Sequence, residues 1–230
     1  MTVQARAPSK RPEIDQYTIK AVIGLIAFLL PVIEVFLDGG IPPSISQSYW
    51  MGDLNRTFFV GLLFALAAML LSYNGNDRRE LIAGKIVCIA ALLIACFPCN
   101  CGSYCADPNA TIATLHLTSA VILFATIGWF CHHFAWIART QMPHFHPEQH
   151  RYAYRRMAIY RVCEVLMALS VVLCGADAVM THGNGSDPYK LFFWGEVAGL
   201  FGFAGSWFTA SKTTSWLAHD SERNYLFRTV

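Results

Sequence analysis

The sequence predicts an all-α integral membrane protein, a compact bundle of six transmembrane helices with both termini cytoplasmic. Three observations carry that expectation. Of 230 residues, 55% are hydrophobic and only 14% charged, where a soluble domain carries about a quarter charged residues; the mean hydropathy is +0.40. Six stretches approach the roughly 20 apolar residues that cross a hydrocarbon layer. Basic residues also alternate between successive connections, as they do in multi-pass proteins. The same figures exclude other classes: a net charge of +2 is too small to attract a nucleic-acid backbone, and so apolar a chain is not disordered.

The elements follow in order. A polar tail, residues 1–17, precedes a first span over Thr18–Asp38, which Gly39-Gly40 and Pro42-Pro43 close. No small-residue cleavage motif follows it, so it is expected to be a retained anchor. The second span, Thr57–Tyr73, stops at Asn74-Gly75-Asn76-Asp77, and the third covers Leu81–Pro98. Asp107-Pro108 introduces the fourth, Thr111–Ile137; Pro143 and Pro147 separate it from the fifth, Met157–Asp177. The segment from Gly183 to Pro188 leads into the sixth, Leu191–Ala210, and residues 211–230 form a second tail. Connections this short imply one transmembrane domain over residues 18–210.

Orientation comes from lysine and arginine, which concentrate in cytoplasmic loops. The amino-terminal tail with the start of the first span, the second and fourth connections with the helix ends beside them, and the carboxyl tail hold all of them except Arg56 and Lys190. The odd-numbered connections are therefore expected outside, in a plasma or bacterial inner membrane. Cysteine usage agrees. Cys99, Cys101 and Cys105 crowd the third connection, beside Cys96, where an oxidising compartment would favour a disulfide; Cys101–Cys105 and Cys99–Cys105 are the sterically easier pairings.

Ionisable residues within spans are costly and mark function or specific pairing. At about 1.5 Å per residue, Glu34 lies about 6 Å below the outer end of the first helix, His116 about 7–8 Å into the fourth and Glu196 about 9 Å into the sixth. Three helices thus place an acid, an imidazole and an acid at one outer level, with Asp38, Arg56 and Asp177 around them. Such a trio can hold a polar head group, coordinate a divalent metal through His116, Glu34 and Glu196, or simply hydrogen-bond the bundle together. No cofactor is otherwise expected. The first outer loop, from Ile41 to Trp50, brings Ser44 and Ser46 as donors and Tyr49 and Trp50 as interfacial aromatics. Deeper on the inner side, Glu164 is expected to pair with Arg161. Gly195, Gly199 and Gly202 of the sixth helix permit close helix approach, either inside the bundle or in a homodimer.

The layout resembles the damage-regulated autophagy modulator (DRAM) family and its bacterial relatives. The resemblance rests on six helices and on Pro42-Pro43-Ser44-Ile45-Ser46 in the first outer loop. Arg56-Thr57-Phe58-Phe59-Val60-Gly61 then opens the second helix, and Leu115-His116-Leu117-Thr118-Ser119-Ala120 opens the fourth. Gly195-Glu196 and Ser206-Trp207 complete it in the sixth. It implies a lipid-linked membrane role. The expected function is therefore non-enzymatic binding of a lipid or amphiphile, with Glu34, His116 and Glu196 on its head group and Ser44, Ser46 and Tyr49 above. A metal-dependent lipid hydrolase similar to ceramidase-like enzymes is the first alternative. It is disfavoured because the sixth helix lacks the histidine pair such enzymes use. A small transporter is the second.

Overall fold

Apolar stretches become helices here, and the turn chemistry between them sets their ends. The computed structural model describes residues 15–100, 109–142, 146–181 and 189–223. Helix α1 covers Gln16–Asp38, α2 is a single turn at Ser48–Met51, and α3 covers Asp53–Ser72. Then come α4 (Arg78–Cys96), α5 (Ala110–Gln141), α6 (Pro147–Thr181) and α7 (Leu191–Ala210). The Asp15 carboxylate accepts the Tyr17 and Thr18 N–H groups, each at 2.9 Å, and starts α1. Gly39 ends that helix at φ 70°, a conformation that glycine adopts without strain.

Five helices, α1, α3, α5, α6 and α7, are long and apolar enough to cross a membrane. Helix α4 is nearly as long at 19 residues but carries Arg78, Arg79, Glu80 and Lys85 in its first half. Lys85 is not stranded. Its Nζ donates to the carbonyls of Leu70 at 3.4 Å and Tyr73 at 3.0 Å, and to that of Leu71. A cation is favoured at such a carboxyl-terminal helix end.

The helices pack in the ring order α1, α3, α4, α5, α6, α7, with α7 closing back on α1 and also touching α5. Neighbours run antiparallel. The Trp50 indole, just ahead of α3, donates to the Cys99 carbonyl past the end of α4 at 3.0 Å. At the opposite end, Tyr73 beyond α3 donates to Glu80 in the first turn of α4 at 2.6 Å. His116 near the start of α5 meets the Phe97 carbonyl, while His133 further along approaches Glu80. Between the helices near this second end lies an aromatic core. Trp207 stands edge-on to Tyr73 (ring centroids 4.9 Å apart) and Phe130 (5.3 Å). Val165, Val172 and Phe36 instead point outward, exposed.

Several boundaries differ from expectation: α3 starts at Asp53 and not Thr57, α4 at Arg78 and not Leu81, and α6 runs on to Thr181. Helix α6 begins at Pro147, well before Met157, and α5 continues past Ile137 to Gln141. Pro147 occupies a first helical position, where its missing N–H costs nothing. The extra turns of α6 are polar, so hydropathy does not reveal them; they dock instead on the segment after α7. There Arg156 donates to the Leu217 carbonyl at 2.8 Å and pairs with Glu222 at 3.3 Å.

The α7 glycines face inward. A Cβ on Gly195 would stand 2.5 Å from Cys174 Sγ, one on Gly199 2.5 Å from a Phe124 ring carbon, and one on Gly202 3.0 Å from the Cys163 carbonyl. Their close approach is made to α6 and α5 of the same chain. The disulfide expectation is also corrected for Cys99, which is a free thiol; its sulfur hydrogen-bonds the Ser46 carbonyl at 3.2 Å instead. Cys101 and Cys105 lie outside the described residues.

Candidate functional site

At the end of the bundle where α1 stops and α7 starts, the first loop folds inward over Glu196. One Glu196 carboxylate oxygen accepts the Ile45 N–H at 2.5 Å, and the other accepts the Ser46 hydroxyl at 2.7 Å and the Ser46 N–H at 3.3 Å. Ser44 and Ser46 are themselves linked at 3.2 Å, and Ser44 Oγ accepts the Gln47 N–H. Glu34 is fully buried, with Asn55 Nδ2 3.5 Å from one of its oxygens. Its other oxygen and the Ser48 hydroxyl are buried without a hydrogen-bond partner. Outside this layer Arg56 donates to the Tyr49 carbonyl at 2.9 Å and its guanidinium lies over the Tyr49 ring.

Glu34, Ser44, Ser46 and Glu196 all lie at this end of the bundle. Tyr49 and Arg56 sit above them, Asp38 is exposed, and Asp177 is half-buried. His116 is buried at the same end, but its Nδ1 lies 2.7 Å from the Phe97 carbonyl. A metal held by His116, Glu34 and Glu196 is one of the arrangements the sequence leaves open. Among the described residues these side chains do not converge as a ligand group. Loop N–H and hydroxyl groups occupy Glu196, and a carbonyl occupies His116. The loop is a ligand of Glu196 before it is a lid over anything else. Burial pushes the Cys99 thiol beside it up to about 12, with the Glu196 carboxylate adding to the shift.

Sequence reasoning missed a second polar centre, at the other end of α4. Asp77 caps α4 by accepting the Glu80 N–H at 2.8 Å, and that N–H is the main cause holding the Asp77 carboxyl below the usual range. Glu80 is fully buried and accepts from Tyr73 Oη at 2.6 Å, Asn76 N at 2.9 Å and Asn76 Nδ2 at 3.0 Å, all on one oxygen. Its other oxygen also accepts Asn76 Nδ2, at 3.2 Å, and lies 3.4 Å from His133 Nε2; Asp77 Oδ2 lies 3.5 Å from the same nitrogen. Lys20, also buried, lies over the Tyr73 and Phe134 rings. The sequence signal was faint: one acid and one imidazole near the ends of two helices, each explicable as an interfacial residue.

Alongside this centre, a groove of about 610 Å³ runs between α4 and α5, lined by Arg79, Ile82, Ala83, Ile86, Ala125, Thr126 and Trp129. One guanidinium at its edge and an apolar wall suit an amphiphile. Further along α5, His132 and Arg161 both hold Glu164, at 3.0 and 2.5 Å, which includes the expected Arg161 pair. Comparison with protein-family models, curated proteins and solved structures finds no match for this chain.

Proposed function

We propose that the chain is a six-helix integral membrane protein, both termini cytoplasmic, that binds an anionic amphiphile without turning it over. The observation that carries this reading is the α4–α5 groove. Ile82 and Ile86 are exposed along its wall, and Arg79 stands at the end nearest the Asn74–Asp77 turn. In the orientation set by the basic residues, that turn lies at the cytoplasmic surface, where anionic lipids attract each basic residue by about 1 kcal/mol. An acyl chain would lie along Ile82, Ile86 and Ala125, with its head group at Arg79. The resemblance to DRAM-like proteins supports the same lipid-linked role. The outer cluster then serves as a clamp that fixes the first loop.

The test is mass spectrometry of lipid retained by the purified chain. Ala125→Trp fills the groove and Arg79→Ala removes the anchor; both are expected to lower retained anionic lipid several-fold. An unchanged lipid complement in both variants overturns the proposal. One observation favours a second reading, with the head group at the outer mouth: the buried, unpaired Glu34 oxygen and Ser48 hydroxyl. In that case Glu34→Gln, and not Ala125→Trp, strips the lipid.

A further inference from the structure

We propose that Asp77, Glu80 and His133 form a binding site for a divalent transition-metal ion of the zinc or manganese class. The site stands independently of the lipid groove. One ligand atom from each of Asp77, Glu80 and His133 lies within 4.8 Å of the other two. Two ligands about 2.0–2.2 Å from a tetrahedral ion are themselves roughly 3.3–3.6 Å apart. The His133 nitrogen stands 3.4 Å from Glu80 and 3.5 Å from Asp77, the length of two edges of such a tetrahedron.

The second observation concerns His133 itself. Its side chain is 8% exposed, yet Nε2 makes no hydrogen bond to either carboxylate in spite of the short separations. A buried ring nitrogen without a partner is costly. Here it lies 3.4 Å from a Glu80 oxygen and 3.5 Å from an Asp77 oxygen, where a cation would bridge the nitrogen to both carboxylates.

The surroundings hold that geometry in place. The imidazole is stacked between two indoles, Trp129 at 4.7 Å and 12° and Trp136 at 5.9 Å and 18°. The Tyr73 hydroxyl and the Asn76 N–H hold the far oxygen of Glu80, and the Asn76 amide bridges both oxygens, which fixes the nearer one 3.4 Å from His133 Nε2. Such outer hydrogen bonds orient metal-binding carboxylates. Gly75 takes φ +69°, and a Cβ there would strike Glu80 Cβ at 2.5 Å, so the turn carries Asn76 and Asp77 back over the first turn of α4. One imidazole with two carboxylates suits zinc or manganese; calcium prefers six to eight oxygens. Asp77, with 45% of its side chain exposed, gives the ion a way in and leaves a coordination position facing water.

The test uses the full chain, purified in detergent with its affinity tag removed and stripped by chelator. Zinc binding is followed by calorimetry, and cobalt binding by the visible absorption of a tetrahedral ion. One equivalent is expected, with a change in indole fluorescence from Trp129 and Trp136. Asp77→Asn retains a good helix cap, so its fold is preserved, and it should weaken zinc binding by more than about ten-fold. His133→Gln should do the same and abolish the cobalt spectrum. Failure of the unaltered chain to bind zinc or manganese stoichiometrically overturns the assignment. So does binding that survives both substitutions, wherever that ion sits.

Discussion

Glu196 and Cys99 show how one side chain organises the end of the bundle where α1 stops and α7 starts. Glu196→Ala would orphan the Ile45 and Ser46 N–H groups, both on buried residues. Each buried unpaired group costs about 1–3 kcal/mol, so the variant should melt several degrees lower and its first loop should become open to limited proteolysis. Glu196→Gln keeps an acceptor and should lose less. Cys99 gives a prediction in pH. Its thiol is raised to about 12 by burial, and the thiolate is the reactive form. A pKa raised by folding adds stability that is complete below the unfolded value of about 8.5 and is lost as pH climbs through the native one. In a variant retaining only Cys99, alkylation at pH 8 should therefore be far slower than after unfolding, and should keep rising above pH 10. A rate that levels off near pH 9 contradicts the buried geometry. The sequence makes the level of Glu34, His116 and Glu196 legible, because rise per residue is fixed. It does not show that Ser46 would come from the loop to occupy Glu196, since that depends on how a proline-containing segment folds back.

At the scale of elements, α7 is the helix whose sequence is most constrained. Gly199→Ala would bring a Cβ to 2.5 Å from the Phe124 ring and 2.8 Å from Ser170 Oγ, and overpacking of this kind costs about 1–3 kcal/mol. Gly61→Ala in α3 meets nothing within 4 Å, so it should be neutral or slightly stabilising, because alanine is the better helix former. Thermal unfolding in one detergent compares the two directly; equal melting temperatures would mean that α7 does not pack against α5 and α6 as found. Small residues at regular spacing are visible in a sequence, but the partner they admit is not, and here that partner is in the same chain. The six long helices were legible from apolar length, but the single turn α2 in the first loop was not. The polar start of α6 was not, because its stability comes from docking Arg156 on Leu217 and Glu222 rather than from burying an apolar stripe.

The whole molecule poses one question that composition alone leaves open at α4, whose first half carries four charges. A bundle of five crossings would put the termini on opposite sides of the membrane; six put them on the same side. The antiparallel ring favours six. Lys85 is held by α3 carbonyls, Glu80 by Tyr73 and Asn76, and Arg79 lines the end of the groove. These charges are thus paired or near one end, which lowers the cost of placing α4 across the bilayer. Hydrogen bonds at both ends of α4 also bind it to α3 and α5, so it cannot lie flat on the surface without losing the Trp50–Cys99 and His116–Phe97 contacts. Reporter fusions at residue 1 and residue 230 are accordingly expected to report the same cytoplasmic side. An impermeant maleimide should label a cysteine placed at Gly40 from outside intact cells and leave one at Asn74 untouched. Labelling at both positions would put α3 in a re-entrant path. It would also remove the reason for placing Arg79, and any head group bound there, at the inner surface.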